Sequence, residues 1–529
     1  MWVGFGKSGE MLTNLTTNLT VLVALVILGW GFYRARPYGK LGILSWVQSV
    51  TLMAPWLLFF GLFTAGISVN LLGNLLLFVI FTGIYVALGR QIRRIAPEEL
   101  AKRADAIAKA HAENNPAESK LADPQGGEAN SPQEPTPSAE ATSPQKRTNV
   151  DANADSDVLI AIPAVDLQAI QGIFGIDTFF ATQTIPFQEG VVFNGNLRGE
   201  PAVIHAKLSA SLQERLGDRY RLFLVENQEG RPTVVLLTSR NDPQPLNRSQ
   251  TLLAVTLLFG TIATCLETAG FLLGFDFYNN LQRYAEVLPI SLGILSILVV
   301  HELGHWAIAQ RYQVKLTLPF FFPTWQIGSF GGLTNFASLL PNRTTLFDIA
   351  FAGPATGGLL ALVMLTIGLN LSHPGSAFKV PTVFFEGSIL VGTLARIILG
   401  DGVKAALVEV HPLVILGWIG LVITAINLMP AGRLDGGRIV QAIYGRKMAN
   451  RTTIATLVIL GLASLINPLA IYWAVIIFFL QRNLERPSLD ELTEPDDTRA
   501  TLGLIALFLM VTVLLPLTPS FAGRLGFPV

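Results

Sequence analysis

Cysteine is almost absent from this chain: Cys265 is the only one in 529 residues, and it lies in an apolar run. That excludes a disulfide framework and any metal site built on thiolates. A metal would have to be held by His, Asp or Glu, and six histidines make the set of candidates small. Charge is scarce too. Charged residues form 14% of the chain, where a soluble protein carries roughly a quarter. The formal net charge is zero, so nothing indicates an acidic partner such as a nucleic acid. The first residues hold few Arg and Ser and no cleavage-site pattern, so neither a secretory signal nor a transit peptide is expected there. What fills the space is apolar: 51% of residues are hydrophobic and the mean hydropathy is +0.49, the composition of a protein embedded in lipid.

Apolar runs of about 18 residues or more read as membrane helices. At the N-terminus they cover about 18–33, 41–66 and 71–89, giving a first segment of spans over 1–92. Residues 93–157 are rich in Ala, Glu, Pro, Ser, Asn and Lys, and 114–153 have almost no large apolar residue. Such a stretch cannot bury enough surface to fold and reads as a flexible linker. Apolar alternation returns in 158–246, at Arg219–Val225 and Pro232–Thr238, between Gly and Asn-Asp turns. This predicts a small soluble α+β domain. It contains Gly195-Asn196-Leu197-Arg198, which reads locally as a turn. A membrane core over 247–482 follows, with apolar segments at about 251–275, 287–309, 346–371, 388–399, 413–429, 453–466 and 470–480. A last span near 501–517 lies in 483–529. The total is roughly nine to eleven spans, with 388–399 and 470–480 short enough to be re-entrant. The fold class expected is a polytopic α-helical membrane protein with one small soluble α+β domain. Arg34, Arg36 and Lys40 after the first run, and Arg90, Arg93, Arg94, Lys102 and Arg103 after the third, place those loops and the soluble domain on the cytoplasmic or stromal side.

The chemistry concentrates in His301-Glu302-Leu303-Gly304-His305. Histidines four apart share one face of a helix, so their imidazoles can converge on one ion. Glu302 between them can reach a water at that ion. A metal such as Zn²⁺ there lowers the pKa of the water to about 7 and polarises a carbonyl. The glutamate then takes the proton and passes it to a leaving nitrogen. The motif directly continues the apolar run 287–300, and ionisable groups inside a span are functional by default. A third ligand is needed, with one position left for water. The acids within apolar segments are Glu267, Asp348, Glu386, Asp401 and Asp435. Asp435 stands out: Pro430 ends a helix, and Gly432, Gly436 and Gly437 permit a tight non-helical path around it. It reads either as a ligand or as the N-cap of a helix at about 438–444. Asn427 on the same segment reads as an oxyanion donor or holder of the scissile backbone, or else as a helix–helix hydrogen bond.

HExxH in a membrane helix, followed by Asn427-x-x-Pro430-x-x-x-Leu434-Asp435-Gly436-Gly437, resembles the site-2 protease family. The resemblance covers about 287–446 and includes the Gly-Pro stretch Phe351–Gly358. It implies an intramembrane zinc metalloprotease (a metalloendopeptidase of regulated intramembrane proteolysis) with His301, His305 and Asp435 as Zn²⁺ ligands and Glu302 as base. With Gly195–Arg198 added, the pattern is similar to the ethylene-dependent gravitropism-deficient and yellow-green group of chloroplasts and cyanobacteria. The apolar opening then suggests a cyanobacterial or related bacterial source, in a plasma or thylakoid-type membrane. The partners implied are the bilayer and a membrane-protein substrate. Pro319–Pro323 and Gly328–Asn335 read as an aromatic hairpin whose edge, with Gly331, Gly332 and Asn335, can pair with an unwound substrate. Glu267 and Arg396 are isolated charges that read as a buried pair or a water path. The alternatives are a polytopic transporter or metal permease, for which a glutamate between two histidines has no use, and an inactive protease-like adaptor.

Overall fold

The computed structural model describes residues 162–527 except 188–189, 228, 325, 466–467 and 479–482, together with 39–64 and scattered positions of 29–36 and 80–91. The expected linker, and most of the first and third apolar runs, lie outside the described residues. The chain divides into two compact units, Met1–Asp151 and Ala152–Val529. In the first, helix α1 (Gly39–Thr64) runs 26 residues.

The second unit begins with the α+β domain. Helices α2 (Ala164–Gln171) and α3 (Pro201–Leu216) accompany strands β1 (Phe179–Phe187), β2 (Gly190–Leu197), β3 (Tyr220–Glu226) and β4 (Pro232–Thr238). The strands form an antiparallel sheet in the order β1-β2-β4-β3. Alternate residues point to one face, so Leu222, Leu224, Val234 and Leu236 meet Ile204, Leu208 and Leu212 of α3 in the domain's core. Gly195 is not in a turn. It pairs with Ala181 at the end of β2, where a Cβ would lie 2.2 Å from the Phe180 carbonyl oxygen. Strand β3 is an edge, and residues 489–491 cover it: Leu224 N donates to Leu489 O (2.8 Å) and Glu491 N to Leu224 O (3.0 Å). The same segment donates from Leu489 N to Leu340 O (2.9 Å), which ties the sheet to the membrane core.

The core contains helices α4 (Arg248–Leu272), α5 (Tyr284–Arg311), α6 (Arg343–Asn370), α7 (Ile389–Leu399), α8 (Pro412–Asn427), α9 (Asp435–Ala463), α10 (Pro468–Ile476) and α11 (Asp497–Leu514). Among the described residues four of these, α4, α5, α6 and α11, are long and apolar enough to cross a membrane. The others fall short: the 16 residues of α8 extend about 24 Å at 1.5 Å each, less than the roughly 30 Å of hydrocarbon. Helix α8 is buried on nearly every side, and Gly417 lets it cross α6 closely, since a Cβ would meet Leu365 N at 2.3 Å. A small hairpin, β5 (Phe320–Thr324) with β6 (Gly328–Leu333), and an antiparallel pair, β7 (Phe378–Pro381) with β8 (Leu407–Val410) across α7, complete the core.

The segment after α8 differs from the expectation of a short helix at 438–444. Helix α9 starts at Asp435 itself and is interrupted at Gly445 (φ 78°), so two helices join end to end. Arg343, buried at the start of α6, donates to the Ala442 and Ile443 carbonyls (2.7 Å each) just before the break. A cation on those free carbonyls satisfies the first helix's C-terminal end. Glu267 and Arg396 do not pair. Arg396 binds Asp401 (3.1 Å), and Glu267 Oε2 is buried without a hydrogen-bond partner.

A candidate metal centre

Helix α5 carries a stripe of buried residues, Ile290, Ile294, Ile297, His301 and His305, at spacings of three and four. The stripe faces the core, so both histidines point inward while Leu303 and Trp306 lie exposed on the apolar surface. Asp435, the first residue of α9, meets them. His301 Nε2 lies 3.1 Å from Asp435 Oδ2, His305 Nε2 3.4 Å from the same oxygen, and the two Nε2 atoms 3.2 Å apart. All three residues are buried. The cap position of α9 belongs to Leu434, and no side chain caps it. The Asp435 carboxylate is thus turned to the histidines, not to its own helix.

These distances test the donor set. A tetrahedral ion bound at about 2.0–2.1 Å holds its ligand atoms roughly 3.3–3.4 Å apart, close to the three separations found. The tautomer agrees. His305 Nδ1 is 2.7 Å from the Ile349 carbonyl, which only accepts, so Nδ1 carries the proton. In the neutral ring, Nε2 then offers a lone pair to the point shared with His301 and Asp435. His301, His305 and Asp435 could therefore hold one small cation with nitrogen and oxygen donors, which suits zinc.

The glycines of Phe351–Gly358 make this arrangement possible. A Cβ on Gly353 would lie 2.2 Å from His305 Nε2, and one on Gly357 would lie 2.9 Å from His301 Cβ. Helix α6 can press against the HExxH face only because neither residue has a side chain. The sequence marks this stretch by resemblance, but its partner helix emerges only from the packing.

Glu302 is half-buried beside the cluster. Its Oε2 accepts from Thr334 Oγ1 (2.6 Å), and a Cβ on Gly332 would lie 2.6 Å from its Oε1. The β5–β6 hairpin thus sits directly against the carboxylate. Asn427 takes a different position from the one expected of an oxyanion donor. Its Nδ2 donates to Phe330 O (3.2 Å) and to Ile423 O (2.9 Å), so both amide protons are occupied and the residue fastens β6 to α8. Gly331 (φ 104°) packs on that amide, with space for no Cβ. Asn335 lies just past the end of β6, on a cavity described below.

Sequence reasoning missed a second tier. Thr334 is positioned through its carbonyl, which accepts from Arg438 Nη2 (2.8 Å). Arg438 is buried, lies over the Phe336 ring and binds Glu485 Oε2 through Nε (3.1 Å) and Nη2 (2.8 Å). Glu485 lies far along the chain, and only the buried charge of Arg438 could have pointed to a partner.

Two histidines and a carboxylate converging inside membrane helices, with a glutamate alongside, define a membrane-embedded metal-dependent hydrolase. The comparisons agree. The model described as peptidase family M50 matches residues 289–467, and that described as the EGY3 middle domain matches 168–245. The chain is 39% identical over 375 residues to "Probable zinc metalloprotease EGY2, chloroplastic" of Arabidopsis thaliana, covering 69% of this chain and 67% of that protein. It is 38% identical over 396 residues to "Probable zinc metalloprotease EGY1, chloroplastic" of the same plant, covering 67% and 71%. With "Probable zinc metalloprotease EGY3, chloroplastic" of Oryza sativa subsp. japonica the identity is 33% over 389 residues, covering 68% and 65%. No solved structure gives a significant match. The chain belongs to the site-2 protease family, peptidase family M50, within the EGY group of zinc metalloproteases.

Proposed function

We propose that this chain is a zinc metalloendopeptidase that cuts peptide bonds in or near the transmembrane segments of other membrane proteins. The reading is carried by one observation: three donor atoms mutually 3.1–3.4 Å apart within apolar helices, with Glu302 next to them. His301, His305 and Asp435 would hold Zn²⁺, which when bound would act as a Lewis acid toward the scissile carbonyl and water. Glu302 accepts the proton of the attacking water and returns it to the leaving amide nitrogen. Thr334 holds one carboxylate oxygen and leaves Oε1 for that exchange. Asn427 acts by fixing β6, so that Gly331 and Gly332 present a strand beside the site on which an unwound substrate can lie. Unwinding is required because the carbonyls of a helix are already hydrogen-bonded and shielded.

The membrane is of thylakoid or plasma type, with the α+β domain on the stromal or cytoplasmic side. The Lys/Arg bias of the N-terminal loops and the chloroplastic names of the relatives support this placement. The test of the site is stoichiometry. Purified wild type should carry about one zinc per chain, and His305→Ala and Asp435→Ala should each lose it. A variant that stays fully loaded would assign the metal to other ligands.

A further inference from the structure

A cavity of ≈ 190 Å³ lies past the end of β6, on the side of the α+β domain. Gln244, Asn335, Ser338, Arg433, Glu485 and Arg486 supply its polar walls. Asn335 Oδ1 and Arg433 Nε are buried there with no hydrogen-bond partner, although buried polar atoms are nearly always paired. The charges are also unbalanced. Glu485 is the one carboxylate of the wall, and it is engaged: Oε2 takes Arg438 (2.8 Å) and Oε1 takes the Arg486 backbone N–H (3.2 Å). Arg486 Nη1 donates to the neutral Asn241 carbonyl (2.9 Å). Arg433 makes no ion pair among the described residues. Among the residues that line this space, arginines therefore outnumber carboxylates.

That space adjoins the reaction centre. Asn335 follows Thr334, whose hydroxyl binds Glu302, and Arg433 is two residues before Asp435. An extended chain advances about 3.4 Å per residue, so the cavity falls roughly two to four residues from the bond that is cut. Its volume is below the roughly 300 Å³ at which pockets for whole small-molecule ligands begin, and suits a single side chain. We propose that this cavity is a substrate subsite for an acidic residue, Asp or Glu, on the side of the α+β domain; the proposal rests on the protease reading. In an extended substrate such a residue brings a carboxylate to Arg433, the lining cation without an ion pair among the described residues. An apolar residue leaves that cation without a counter-charge, and a lysine adds another to a wall already rich in arginine.

Binding tests this without requiring turnover. Full-length Glu302→Gln protein in detergent is titrated with labelled single-span peptides that carry Glu, Gln or Lys at each of four positions after the span. At one of these positions the Glu peptide should bind about tenfold more tightly than the Lys peptide, the size of one charge-assisted hydrogen bond. Added Arg433→Met should erase the ratio, Arg433→Lys should keep its direction, and Arg433→Glu should invert it. Zinc near one per chain in every variant shows that the neighbouring Asp435 is intact. Equal binding of all peptides, or a Glu preference that survives Arg433→Met, overturns the subsite. Residual cutting by the Glu302→Gln protein would instead count against the catalytic assignment and leave the binding ratios readable.

Discussion

At the residue scale the site depends on atoms that are absent as much as on those present. His305 approaches α6 where Gly353 has no side chain, and a methyl there would stand 2.2 Å from Nε2. Gly353→Ala should therefore push a donor out of the cluster and lower zinc content well below one per chain, while far-ultraviolet circular dichroism stays helical. Full zinc occupancy in that variant would show that the packing is looser than described. Thr334 makes a subtler contribution. Thr334→Val removes the hydroxyl that donates to Glu302 Oε2; loss of such a supporting hydrogen bond lowers activity by roughly 10- to 100-fold. Zinc content should not change, and Thr334→Ser should restore most of the rate. A Val variant as fast as wild type would remove Thr334 from the account.

At the element scale, the parts that were legible in the sequence are those with local signatures. The apolar run 287–300 leading into His301–His305 identifies helix α5, and alternation identifies β3 and β4. The Pro430 and Gly432 break places Asp435 at the start of a helix. Other features depend on contacts between distant segments and leave no local trace. Gly353 and Gly357 stand out only by resemblance, and what they pack against shows only once α5 lies on them. Asn427 reads equally as a catalytic amide or as a packing hydrogen bond until Phe330 and Ile423 take its protons. The pairing of Arg438 with Glu485 spans 47 residues, and neither residue has a neighbour that predicts the other. Between the two readings of Asp435, ligand or cap, the packing decides: its carboxylate is drawn to the histidines, and the backbone enters the helix without a side-chain cap.

At the scale of the whole molecule, the α+β domain and the membrane core of the second unit are joined by the segment before α11. Residues 489–491 extend the edge of β3 and bind the 340–341 carbonyls, and Glu485 on the same segment holds Arg438 under the hairpin. Removing Glu485 leaves a buried guanidinium without its counter-charge, which costs about 3 kcal/mol or more. Glu485→Ala should therefore lower the thermal midpoint in detergent by several degrees. Burial alone would push the Glu485 carboxyl up, but Arg438 and Arg433 beside it hold it below its ordinary value of 4.5. A depressed folded pKa gives stability that is complete above the ordinary value and lost as pH falls through the depressed one. Wild type should thus lose stability below about pH 4.5, and Glu485→Gln should show a smaller loss over the same range. Identical acid profiles would mean that the pair does not link the segment to the core.

The central claim is that a zinc-bearing cluster and Glu302 together hydrolyse peptide bonds within the membrane. The most direct measurement pairs wild type with Glu302→Gln, purified in detergent, with zinc quantified per chain. Both are then tested for cleavage of a single-span membrane protein whose helix has been destabilised. The account predicts about one zinc per chain in both and cleavage by the wild type alone, since loss of a general base lowers the rate by roughly 10²- to 10⁴-fold. Undiminished cleavage by Glu302→Gln, or no zinc in either protein, would contradict it.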